Sequence, residues 1–299
     1  MDRGFSPAAD APVLVIGGAG FDLVGRLRGE LNPGTSSPAH IRISHGGVAR
    51  NVAENLARLG QPATLITAVG EDSAGNQLIQ PAAEAGVDVS CVLSTPEYPT
   101  GTYIAVLNSA GALQFALDDI NATSALTPEY IRSCADRFQE ASLVFIDANL
   151  PRDTLRTIFS LARKAGLPVC ADPTSTSLAE RLKPYLNRLT LVAPNSAEAS
   201  ILSGMPVADS SQQQALEAAK CLVSHGVQIA LVTLAEFGVV YASSETSGHV
   251  PAMRTRIVDP TGAGDALTAT VIYALLNDIP LDDAVRLGVT AASLTLRRR

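Results

Sequence analysis

Asp259-Pro260-Thr261-Gly262-Ala263-Gly264-Asp265 runs directly into an apolar, helix-forming stretch from Ala266 to Leu276. Two glycines opening a helix leave backbone N–H groups unpaired where an anion can settle, and the helix dipole favours negative charge there. Asp265 falls in the first helical turn, so its carboxylate faces the same space. A carboxylate beside a phosphate cradle is the pairing that phosphoryl transfer to a hydroxyl needs. The same residues also admit a plain capped helix start, with Asp265 complementing the dipole.

A second glycine pair, Gly46-Gly47, precedes Val48-Ala49-Arg50-Asn51-Val52-Ala53-Glu54-Asn55 and a helix closed by Gly60. Paired glycines allow close backbone approach to a ligand at a helix start. Asn51, one turn in, offers donors and an acceptor to a sugar hydroxyl. Further upstream, Gly17-Gly18-Ala19-Gly20 after an apolar strand imitates a dinucleotide-binding fingerprint. Leu23 stands where the third glycine belongs, and no acidic residue ends a second strand about twenty positions on, which argues against nicotinamide binding. Asp22 is expected just beyond the first strand, where its carboxylate could accept hydrogen bonds from vicinal sugar hydroxyls. A structural Asp in a loop or helix start is the alternative.

The elements that must hold these groups read as alternating strands and helices. Apolar strands are expected at 13–16, 63–69, 143–146, 168–171, 189–192 and 229–233, with helices near 47–59, 128–139, 152–165, 196–203 and 211–224. Continuous apolar strands separated by helices indicate a parallel sheet covered on both faces, with ligands beyond the strands' carboxyl ends. Two-faced strands at 40–44 and within 102–118, the latter turning at Asn108-Ser109-Ala110-Gly111, have no covering helix and suggest a small projecting sheet.

The 299 residues suffice for one large domain with a sizeable core. With 22 basic and 29 acidic residues the net charge is −7, which argues against a nucleic-acid partner. Cys91, Cys134, Cys170 and Cys221 are scattered without a CxxC pair, as in reduced thiols of a cytoplasmic protein. No secretory signal or membrane-length apolar run is visible, and Arg297-Arg298-Arg299 reads as a solvated helix end.

Taken in order, the glycine pair with Asn51, the stretch Asn195-Ser196-Ala197-Glu198 and the Asp259–Asp265 loop resemble the signatures of the ribokinase-like (PfkB) kinases. The resemblance covers nearly the whole chain. It implies a three-layer α/β/α sandwich over residues 1–299, with a mostly parallel central sheet and a small β-lid from segments near 35–45 and 98–118. It implies ATP as phosphoryl donor with Mg²⁺, whose water shell Asn195 and Glu198 would organise, and it leaves room for a monovalent cation such as K⁺. Asp265 would be the base, with the Gly262-Ala263-Gly264 loop stabilising charge. Asn195, Thr233, Gly238 and Thr261 would meet the nucleotide, and Asp22, Gly46, Gly47 and Asn51 the acceptor.

The Arg50-Asn51-Val52-Ala53-Glu54 wording, with Asp119-Ile120-Asn121, Asp147-Ala148-Asn149 and Asp172-Pro173, resembles pseudouridine kinases within that family. That implies transfer to the 5′-hydroxyl of a C-linked nucleoside, with Asp119, Asn121 and Asn149 flanking the sugar pocket and reading the base. Kinases of adenosine, ribose or fructose, or a catalytically silent nucleoside sensor, are the competing expectations. Ala235 replaces a glycine common in the family, Ala193 replaces a lysine, and the chain stops early at Arg299. The expected partners are a small nucleoside, ATP and a second copy joined through the lid, with neither nucleic acid nor membrane.

Overall fold

Val13-Leu14-Val15-Ile16 becomes a central strand because each residue has an apolar destination. Leu14 and Ile16 enter one buried cluster, and Val13 and Val15 enter another on the opposite face. Leu143 to Ile146 repeats the division, which is what a sheet covered on both sides demands. The computed structural model describes residues 10–255, 257–258 and 261–297. Asp259, Pro260, Arg298 and Arg299 lie outside the described residues.

In chain order the strands are β1 (Val13–Ile16), β2 (Gly20–Leu27), β3 (Ala39–Gly46), β4 (Ala63–Gly70), β5 (Asp88–Thr95), β6 (Gly101–Leu107) and β7 (Leu113–Asp119). They continue as β8 (Leu143–Asp147), β9 (Val169–Asp172), β10 (Leu191–Val192), β11 (Ile229–Thr233), β12 (Val239–Ser243) and β13 (Ser247–Val250). The helices are α1 (Val48–Arg58), α2 (Ser73–Glu84), α3 (Pro128–Ser133), α4 (Ala135–Glu140), α5 (Arg152–Ala165), α6 (Thr176–Ala179), α7 (Ser196–Ser203), α8 (Gln212–Ser224), α9 (Ala263–Leu276) and α10 (Leu281–Thr295).

A nine-stranded sheet runs β13-β12-β11-β10-β9-β8-β1-β4-β5, parallel except where β12 pairs with β11 and β13. Residues of α1, α2, α9 and α10 fill one face, and residues of α3 to α8 the other. The chain leaves β1 toward β4 and β5, then returns to β8 on β1's other side. The strand order therefore reverses between β1 and β8, and that switch point is where an open α/β sheet leaves a crevice.

The second sheet has four strands in the order β3-β2-β6-β7. Its β6–β7 hairpin turns where expected, with Gly111 N–H donating to Asn108 O at 2.9 Å. One expectation fails here. The segment carrying Asp22, expected just beyond the first strand and given no strand of its own, is the interior strand β2, paired along its length with β3 and β6. Glycines at 18, 20 and 25 masked its strand pattern, and its partners come from distant sequence. The lid is correspondingly wider than the segments 35–45 and 98–118.

Smaller departures have local causes. The 128–139 helix is divided at Cys134 into α3 and α4, and the strand near 189–192 shortens to β10. Helix α2 carries Pro81 in its interior, which hid it in the sequence.

Candidate active site

Gly262 opens α9 in the left-handed conformation, φ 75°, which a side chain would strain. The first helical amide to find an acceptor within the helix is Ala266, bonded to Gly262 O at 2.9 Å. The amides of Ala263, Gly264 and Asp265 thus lie in the first turn, where a helix has donors to spare. Gly264 is exposed, and a Cβ built there would meet nothing within 4 Å. Open space therefore sits over the start of the helix, as an anion would need.

Helix α1 brings the second signature to this point. Gly47, φ 91°, precedes it, and a Cβ there would collide with the backbone of Gly18 and Ala19. Asn51 Nδ2 donates to Asp265 Oδ2 at 2.7 Å, across 214 residues of sequence. The two glycine motifs are thereby one site.

Burial lifts Asp265 from the usual carboxylate range to about 7, with Asp22 and Asp147 adding to the rise while the Asn51 bond and Arg50 oppose it. A carboxylate poised there suits a general base near neutral pH. Asp147, fully buried at the end of β8, accepts from Gly18 N–H at 2.7 Å, Ala49 N–H at 3.2 Å and Asn149 N–H at 3.0 Å. It fastens the β1–β2 turn, the start of α1 and the loop after β8 together at the switch point. The sequence alone assigns this residue no task. Its sign there was an acidic residue ending an apolar strand.

Of the residues expected to meet the nucleotide, Asn195 caps α7. Its Oδ1 accepts from Glu198 N–H at 2.9 Å, and its Nδ2 donates to Glu198 Oε1 at 2.8 Å. A backbone bridge joins Asn195 to Thr233, bringing those two expected residues side by side. Gly238 has φ 99°, and a Cβ would overlap Val250 O. Ala235 has φ 46°, so the residue that departs from the family glycine occupies a conformation favouring glycine. Thr261 is half-buried in the turn before α9.

Of the residues expected to meet the acceptor, Asp22 stands in β2 against Gly46, where any Cβ would overlap its carboxylate. Asn149 lies over the β1–β2 turn, since a Cβ on Gly18 would come within 2.8 Å of its Nδ2. Asp119 departs from expectation. Asp22 pairs with Tyr103, and Tyr103 with Asp118, so these three share a face; Asp119 pairs with Thr102 and leaves on the other. Asp119 instead accepts from Asn121 Nδ2 at 2.8 Å, and both are exposed. Asp118, and not Asp119, is thus the residue of β7 on the Asp22 face. Desolvation and the carboxylates of Asp22 and Asp118 raise the Tyr103 hydroxyl.

The profile of the pfkB family carbohydrate kinases matches residues 10–299. The chain belongs to the pfkB kinase family. It is 32% identical over 285 residues to the pseudouridine kinase of Escherichia coli, covering 95% of this chain and 90% of the relative. It is 29% identical over 283 residues to the guanosine-inosine kinase of Exiguobacterium acetylicum, covering 94% and 93%. In fold it matches Arabidopsis thaliana ribokinase complexed with ribose and ATP, with a TM-score of 0.85, 24% identity and coverage of 97% and 94%. This kinase is therefore an ATP-dependent phosphotransferase with a ribokinase-like α/β fold, acting on a sugar or nucleoside.

Among the described residues no group of three or more acidic, His or Cys side chains is arranged to hold a metal directly. The donor chemistry fits a hydrated divalent cation instead. Burial raises Glu198, and burial together with the charges of Glu198 and Asp265 raises Asp172 well above its ordinary value. Carboxylates that disfavour one another's charge are relieved by a cation reached through water. No helix among the described residues is long and apolar enough to cross a membrane.

Proposed function

We propose that this kinase phosphorylates the 5′-hydroxyl of pseudouridine, by in-line transfer from ATP with Asp265 as base. The observation that carries the catalytic part is the Asn51–Asp265 bond, which sets a carboxylate raised to about 7 against the amide-rich start of α9. Asp265 accepts the proton of the attacking hydroxyl, and the amides of Ala263, Gly264 and Asp265 meet the charge on the transferring group. Asp22 and Asn51 hold the ribose, while Asn195, Thr233, Gly238 and Thr261 serve the nucleotide. Glu198 and Asn195 would hold Mg²⁺ through water, and the cation bound there would supply positive charge beside the phosphates.

The choice of nucleoside rests on the Arg50–Glu54 wording and on the relative at 32% identity. The guanosine-inosine kinase at 29% favours a purine nucleoside as the second reading. Pseudouridine and uridine share a ribose, so discrimination falls to groups that accept the extra N–H of the pseudouridine base. Asp118, Asn149 and Asn121 are the acceptors nearest that task. A site built around that N–H rejects analogues lacking it by up to ~10⁴-fold. ADP release with ATP, Mg²⁺ and each of pseudouridine, uridine, adenosine, guanosine, inosine, ribose and fructose tests the reading. Pseudouridine should lead in kcat/KM by at least ~10-fold; a lead by guanosine or a free sugar would move the assignment to that substrate.

We also propose a homodimer formed through the lid. In support, the lid face opposite Asp22 exposes Ile41, Ile43, Phe115 and Leu117, a run of large apolar side chains that a monomer would leave in water.

A further inference from the structure

We propose that Arg50 and Glu54 are positioning residues that set which end of the Asn51 amide faces Asp265. The chain through these groups is continuous. Arg50 Nη1 donates to Asn51 Oδ1 at 3.1 Å, and Asn51 Nδ2 donates to Asp265 Oδ2 at 2.7 Å. A guanidinium has only donors and an ionised carboxylate only acceptors. With both in place, one orientation of the amide satisfies two bonds, and the flipped one opposes donor to donor and oxygen to oxygen. Arg50 therefore dictates that the NH₂ end meets the carboxylate.

Glu54 holds the guanidinium in turn. Its Oε2 is ion-paired with Arg50 Nη2, and its Oε1 accepts from Arg58 at 2.9 Å. The Arg50 side chain is only 6% exposed, and among the described residues its Nε finds no hydrogen-bond partner. A buried donor left so lowers stability. An arginine retained in that state fits a functional task better than a structural one. The same pair supplies the Arg-Asn-x-Ala-Glu wording for which the catalytic scheme had no use.

Charge gives Arg50 a second effect on the same atom. Asp265 is faced by Asp22 from β2, Asp147 from β8 and Asp172 from β9, and by Asn51 and Arg50 from α1. The three carboxylates favour its protonated form, whereas Arg50 and the Asn51 N–H favour the ionised form that can accept a proton. Removing the guanidinium frees the amide to flip and withdraws the opposing charge. Both changes leave less of the base ionised at neutral pH.

This inference rests on Asp265 being the base, and its test separates the two. Arg50→Met keeps the length and apolar stem of the side chain. Glu54→Gln leaves the guanidinium but loosens it, Arg50→Lys restores a donor and a charge, and Arg58→Ala is the control. The expected result for Arg50→Met is a kcat about tenfold lower with a smaller change in acceptor KM. Its acid limb should shift upward by about one pH unit. Glu54→Gln should move the same way by less, Arg50→Lys should recover part of the shift, and Arg58→Ala should leave it unmoved.

Carbon-13 titration of the Asp265 carboxyl in ligand-free protein reads the same effect without turnover. A wild-type protein that releases no ADP with any acceptor would overturn the substrate reading, while the titration would still decide the role of Arg50. Should Arg50→Met not fold, Glu54→Gln and Arg50→Lys carry the test. Folded variants with the Asp265 titration and acid limb of wild type would overturn the proposal.

Discussion

Asp265→Asn should stabilise the ligand-free protein while removing its activity. Asp265 rises from 3.8 to about 7, chiefly through burial. That difference is about 3 units, worth at most ~4 kcal/mol at about 1.4 kcal/mol per unit. Between about pH 4 and pH 7 the folded chain holds a proton here that the unfolded chain has released, so this group's contribution to stability falls as pH rises. Asparagine cannot ionise and so escapes that penalty, while its amide oxygen still accepts the bond from Asn51. The variant should therefore exceed wild type by ~2–4 kcal/mol at pH 8, by less near pH 6 and by nothing at pH 4. Urea unfolding of both proteins without ligands at those three pH values measures this. Its kcat should meanwhile fall by ~10²–10⁴-fold, the usual worth of a positioned base. Wild-type kcat/KM should drop about tenfold per pH unit below about 7. Equal stability at pH 8, or an advantage that grows toward acid, would refute the claim that Asp265 is held ionised at a cost.

Asp22→Ala should weaken nucleoside binding by ~1–3 kcal/mol, because sugar hydroxyls lose an acceptor in a desolvated site. Calorimetry should show ATP binding retained, and an unchanged nucleoside affinity would make Asp22 structural. Ala235→Gly should raise stability by up to ~1 kcal/mol, since φ 46° strains alanine and not glycine; an unchanged urea midpoint would deny the strain. Phe115→Glu with Leu117→Glu should convert a dimer to monomer in light scattering while leaving each chain folded. A wild-type protein that is already monomeric would reject pairing through this face. Hydrogen exchange in 98–118 should slow with saturating nucleoside if the lid closes, and unchanged protection would deny closure.

Much of the site was legible because its chemistry is local. A glycine pair before a helix and an Asp in a first helical turn each declare themselves within a few residues, since backbone freedom and the helix dipole's end are short-range properties. The central parallel strands were legible for a similar reason: burial on both faces writes a continuous apolar run. What only tertiary structure decided depends on partners far away in the chain. Gly20–Leu27 is a strand because β3 and β6 flank it, and no periodicity within its own glycine-broken sequence says so. That Asp118 and not Asp119 shares a face with Asp22 is a matter of register, which the pairing with Tyr103 sets and which a shift of one residue reverses. Asp147 gains its role only when β1, α1 and β8 converge on it. Asp265 acquires its raised pKa from burial and from the carboxylates on β2 and β8, neither of which adjoins it in sequence, while Asn51 and Arg50 on α1 oppose the rise. Electrostatic environment is a sum over space, so residue types could propose the base, but only the fold could give it a proton affinity suited to neutral pH.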